Sequence, residues 1–101
     1  MAAYVVIDLD VVDIAEYLQY QKAIWPLLDK VGARYLARGG DVEVLEGDYH
    51  PHRVVLMEFP SPQVLQAFFE SEVYQALEGQ RRACSSARII SVEGLNQARK
   101  A

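Results

Sequence analysis

Two stretches of this chain carry apolar side chains on both sides of what must be a strand. Tyr4–Val11 and Arg53–Phe59 are rich in β-branched, aromatic and Leu residues, the composition that suits a pleated surface. Successive side chains in a strand point to opposite faces, so a sheet with one wet face alternates apolar and polar residues. Here Tyr4 and Val6 oppose Val5 and Ile7, while Val55 and Met57 oppose Val54 and Leu56. Both faces of the sheet need a cover. With 101 residues the chain is one domain and has no third layer of its own to offer. The expectation is a symmetric homodimer in which two sheets face each other.

The rest of the pattern supplies the elements around those strands. Asp13 is placed to cap a helix over residues 13–31, with Ile14, Tyr17, Leu18, Gln21, Trp25, Leu28 and Val31 recurring at helical spacing. Pro26 inside that run predicts a kink or a restart, and Gly32 the stop. Ala33–Arg38 and Val42–Tyr49 read as two strands, or one long bent strand, joined at Gly39-Gly40 by a bulge or bend. A turn over residues 47–51 then makes a hairpin with Arg53–Phe59. Ser61-Pro62 is an N-cap followed by proline at the first helical position, and Val64, Leu65, Phe68 and Phe69 form an apolar face. Ser71 caps a further segment with Val73, Tyr74 and Leu77 inward, ending near Gly79 with Arg81 and Arg82 against the helix dipole. Ile89–Val92 closes the domain as a last strand, and 96–101 is a polar tail beyond a single domain over 1–95. The order βαββαβ predicts an α+β, ferredoxin-like architecture: an antiparallel four-stranded sheet with the helices on one face.

Several strings carry a resemblance. Arg34-Tyr35-Leu36-Ala37-Arg38-Gly39-Gly40, Glu46-Gly47, Glu58-Phe59-Pro60-Ser61, Ser71 with Tyr74-Gln75, and Glu93-Gly94 together resemble the domain-of-unknown-function family numbered 1330, from Tyr4 to about Leu95. The resemblance implies a dimeric α+β barrel, in the broad superfamily that includes small monooxygenases of antibiotic biosynthesis, muconolactone isomerases and stress-responsive barrel proteins. It implies no established activity. Where family members usually read Ser-Pro-Glu-Tyr, this chain has Ser71-Glu72-Val73-Tyr74, without the proline and with Val at the acidic position.

Candidate chemistry is sparse. Arg38 before two glycines could hold a carboxylate or an enolate oxygen by paired donors, or pair with a surface acid. Glu58 sits in an otherwise apolar strand, where a carboxylate is costly unless paired or protonated; a general base and an ion pair with Arg34 or Arg38 explain it equally. Tyr74 offers a pocket hydroxyl as donor or acid. Arg38, Glu58 and Tyr74 are therefore the catalytic candidates, with Trp25, Tyr17 and Phe69 as pocket walls. Asp8 and Asp10 alternate with apolar residues and read as ordinary sheet-side acids.

Other classes of function lack support. His50 and His52 are the only histidines and share one turn, and Cys84 is the only cysteine, with no histidine spaced to activate it, so neither a metal nor a cofactor site is expected. The formal charge of -4 argues against a nucleic-acid surface. No apolar run has spanning length, which excludes a membrane helix, and a cytoplasmic protein is expected. Two functions remain: a homodimer that binds or transforms a small organic molecule in a cavity between sheet and helices, and a non-catalytic dimeric module that binds a partner.

Overall fold

The computed structural model of the chain describes residues 1–95; the tail expected over 96–101 lies outside them. Strand β1 (Ala3–Val11) pairs on one side with β3 (Val54–Phe59) and on the other with β4 (Ser85–Glu93), while β2 (Arg34–Arg38) extends the sheet beyond β3. All pairings are antiparallel and the order is β2-β3-β1-β4. Helices α1 (Ile14–Lys30), α2 (Pro62–Glu70) and α3 (Glu72–Cys84) cover one face.

The helices begin where the sequence placed their caps. Asp13 Oδ1 accepts from the Glu16 amide at 3.2 Å, and Ser61 Oγ from the Val64 amide at 3.1 Å, each satisfying one of the amides a helix start leaves unpaired. Ser71 serves two helices. Its hydroxyl donates to the Phe68 carbonyl at 2.6 Å, closing α2, and accepts from the Tyr74 amide at 3.3 Å, opening α3. Helix α1 runs through Pro26 without a restart, because the carbonyl that loses its donor belongs to Lys22, an exposed residue on the wet side. Helix α3 likewise continues through exposed Gly79 to Cys84, and β4 follows at once, longer than expected.

The buried stripe of α1 is Tyr20, Ile24 and Leu28, flanked by Tyr17, Leu27 and Val31. The expected face was centred too far round the helix: Ile14, Leu18 and Trp25 are exposed, as is Val73 on α3. With apolar residues all round α1, periodicity alone does not choose its buried side, and on α3 Val73 lies at the edge of the apolar stripe that Tyr74 and Leu77 centre. On the sheet, Val5, Leu9, Val55, Met57 and Phe59 point at the helices. Burying each such side chain stabilises the fold by about 1.5–3 kcal/mol. Phe59, Phe68, Phe69 and Tyr74 interlock there, with the Phe69 and Tyr74 centroids 4.7 Å apart at 65°.

One expected strand is missing. Residues 42–49 lie in an irregular segment between β2 and β3, so β2 and β3 are joined by a long loop and not by a tight hairpin. The bulge falls not at Gly39-Gly40 but at Leu36, between the Tyr35–Met57 and Ala37–Leu56 pairs. Gly39 instead turns the chain away from the sheet in the left-handed region, φ 76°, where glycine carries no Cβ penalty.

Candidate functional site

The three catalytic candidates do not converge. Glu58 pairs across the sheet with Tyr4 and Arg34, on the face away from the helices, and accepts from Arg34 Nε at 2.7 Å. That ion pair accounts for a carboxylate in an apolar strand. Arg38 is exposed at the end of β2; the extra residue at the bulge brings it to the face of Tyr35, its Cζ 4.5 Å from the ring centroid, a cation–π arrangement. Tyr74 is buried on the helix side, with the sheet between it and Glu58. Of the three wall candidates, Tyr17 and Phe69 line one cavity with Tyr74. Trp25 is 62% exposed and borders a separate surface depression with Leu18, Arg34 and Arg38.

The cavity that Tyr17, Phe69 and Tyr74 share lies between sheet and helices. It has a volume of about 40 Å³, room for about three waters or one carboxylate-sized group at roughly 10–15 Å³ each of probe-filled space per water. Tyr20 and Tyr35 add to its wall, Met57, Val55 and Ile7 form its floor on the sheet, and Arg81 closes one end. Burial is the main cause that raises the pKa of Tyr17, Tyr20, Tyr35 and Tyr74, opposed in three of them by the Arg81 charge and in Tyr35 by Arg38. Their hydroxyls stay protonated at neutral pH and remain hydrogen-bond donors.

Arg81 is the residue the sequence reading passed over. It is only 8% exposed, and its Nε is fully buried without a hydrogen-bond partner. Among the described residues no carboxylate pairs with it; the nearby Glu78 is engaged by Arg82 at 3.2 Å. A buried guanidinium without a counter-ion is costly, and cavities that work on ligands are where such groups are found. The signal was present: Arg81 lies seven residues after Tyr74 and four after Leu77, on the inward stripe of α3. Reading it as a dipole-complementing helix end hid that register.

Beyond the Trp25 depression, which shares Tyr35 with the cavity, two open grooves share Ile89 with it. One, of about 550 Å³, runs along the α3–β4 junction and shares Arg81 and Ile89 with it. The other, of about 610 Å³, lies between α2 and β4 and shares Phe69 and Ile89; its charged side chains are the carboxylates Glu70 and Glu93. Ile89 thus borders all three spaces.

The remaining candidates are accounted for structurally. Cys84 is buried, its thiol against the Gln80 and Arg81 carbonyls. Asp8 accepts from the Tyr49 hydroxyl at 2.7 Å, and His52 Nε2 lies 3.9 Å from Asp10, on the sheet face opposite the cavity. Among the described residues no three His, Cys, Asp or Glu side chains gather as a metal site would require, and no helix is long and apolar enough to cross a membrane.

An antiparallel β2-β3-β1-β4 sheet with its helices on one face is a ferredoxin-like fold, and the comparisons agree with that class. The chain belongs to the domain-of-unknown-function family 1330, whose pattern it matches over residues 2–95. Solved structures similar to it include the RPA0582 protein of unknown function from Rhodopseudomonas palustris, at 18% identity and a TM-score of 0.76 over 94% of this chain and 83% of that one. A dimeric ferredoxin-like protein of unknown function from Jannaschia sp. CCS1 is similar at 14% identity and 0.68, covering 93% of this chain and 100% of that one. SnoaB, a cofactor-independent oxygenase from Streptomyces nogalater, is similar at 10% identity and 0.67, over 98% of each chain. No curated protein matches by sequence.

Proposed function

We propose that this chain is a cytoplasmic homodimer that binds a small organic molecule in the cavity between sheet and helices, with no metal cofactor. One observation carries the reading: within a densely packed aromatic core the fold keeps a void lined by Tyr17, Tyr20, Tyr35, Tyr74 and Arg81, whose buried Nε has no hydrogen-bond partner. A core that served only packing would gain by filling that space. The two histidines, the best neutral metal ligands here, sit in the loop on the other sheet face, which supports a metal-free site. The dimer is supported by the exposed apolar side chains of the open face, Ile90 and Val92 among them, and by dimeric ferredoxin-like relatives of the fold. Fold similarity to an oxygenase at 10% identity makes chemistry on the bound molecule an open branch of the same reading, not its basis.

A second reading, a non-catalytic dimeric module that binds a partner, draws on the Arg34–Glu58 pair, which removes Glu58 from the list of free bases. Native mass spectrometry of the purified chain, exposed to a mixture of small metabolites, separates the two. The expected result is a dimer that retains a small-molecule adduct, lost in Ile89→Trp, which plugs the space Ile89 borders. A monomer at micromolar concentration, or a dimer that takes up nothing, overturns the ligand-binding reading.

A further inference from the structure

Resting on that binding reading, we infer that the ligand is an anion and that Arg81 receives its carboxylate, with the rest of the molecule leaving the cavity past Ile89 into the α3–β4 groove. Size, charge and direction agree. The void of about 40 Å³ holds the three heavy atoms of a carboxylate and little more, whereas the adjoining groove of about 550 Å³ lies within the range of small-molecule sites, roughly 300–1,000 Å³. Ile89 and Arg81 line both spaces.

Among the described residues the charge at the cavity end has no carboxylate partner, only the neutral Tyr74 hydroxyl. Arg81 is buried, its Nε has no partner, and the one carboxylate close by on its helix, Glu78, is held by Arg82. A guanidinium presents its donors as a planar fork that matches a carboxylate edge. Around it stand neutral hydroxyls, not carboxylates: Tyr17, Tyr20 and Tyr74 feel the Arg81 charge and are protonated donors for a second anionic oxygen. Neutral ligands of the same shape leave the guanidinium without a counter-ion, which is the basis for selectivity.

The test uses benzoate and its neutral isostere benzamide, titrated at constant ionic strength into the full chain carrying ¹⁵N-labelled arginine, with the side-chain Nε–H resonances followed by NMR. The expected result is that benzoate shifts the Arg81 Nε–H signal and saturates, and that benzamide binds at least about 10-fold more weakly, the scale of one charge-assisted hydrogen bond. Arg81→Gln is expected to remove that preference, Arg81→Lys to keep part of it, and Lys30→Gln, at the exposed end of α1, to leave it within about twofold. If Arg81→Gln fails to fold, the Arg81 resonance in the unaltered chain and the Arg81→Lys variant decide. Equal binding of benzamide, or a preference that survives Arg81→Gln, overturns the anion assignment and leaves the binding reading standing. Neither probe perturbing the Arg81 resonance also overturns the anion assignment, while uptake from the metabolite mixture decides the binding reading separately.

Discussion

Single side chains carry most of the functional information in this protein, and Arg81 and the tyrosines around it carry most of that. Burial around Arg81 also raises the pKa of Tyr17, Tyr20, Tyr35 and Tyr74 above the ordinary 10.0. The folded chain holds these protons more tightly than the unfolded chain does. Stability from this source is therefore fully present below pH 10 and is lost as pH rises, because there the unfolded state releases protons that the folded state keeps. Denaturant unfolding followed from pH 8 to 11 is expected to show a fall beginning near 10, made shallower by Tyr20→Phe. A flat profile would mean that these hydroxyls are solvated in the folded state. At Gly94 the requirement is close approach: a Cβ there would lie 2.8 Å from the Ala2 carbonyl oxygen, to which the Gly94 amide bonds at 2.7 Å.

Elements depend on a few junctions. Ser71 ends α2 and begins α3 with one hydroxyl, so Ser71→Ala is expected to cost about 1–2 kcal/mol, the upper range for a lost cap. Gly79, inside α3, has open space where a Cβ would project, and Gly79→Ala should stabilise by about 0.5–1 kcal/mol through the lower entropy of the unfolded chain. Urea unfolding of the two variants checks both signs; a destabilising Gly79→Ala would mean that α3 bends at that glycine in solution. The segment over residues 42–46 shows where strand composition fails as a guide. Val42 and Val44 alternate with Glu43 as a strand would and Leu45 follows, yet all three apolar residues are exposed, Leu45 at 88%. A strand exists only where a neighbour offers amides and carbonyls in register, and β2 has already turned away at Gly39. The position of the bulge was illegible for the same reason: Tyr35–Met57 and Ala37–Leu56 pairing is a property of two strands together.

At the scale of the whole molecule, the chain is thin and extended. Its dimensions are 44 × 38 × 17 Å and its radius of gyration is 14.5 Å, against about 13 Å for a compact chain of 100 residues. A single sheet with helices on one side leaves Ile90 64% and Val92 55% exposed, on the face where Val6 and Leu56 also lie. Packing that face on a second copy buries it at the usual spacing of about 10 Å between sheets. Ile90→Glu places like charges opposite each other or near one another across such an interface. It is expected to yield monomer by analytical ultracentrifugation while keeping the far-ultraviolet spectrum; an unchanged mass would place the contact elsewhere. The sequence by itself determined the element order, the caps at Asp13, Ser61 and Ser71, and the two-sided apolar strands, because each depends on neighbours a few residues away or on a period of two. Only the tertiary structure decided which side of α1 is buried, that Glu58 and Tyr74 lie on opposite faces of the sheet, and that Arg81 ends a cavity without a carboxylate beside it. Those facts concern groups distant along the chain, and burial and pairing arise only when the sheet and helices close on one another.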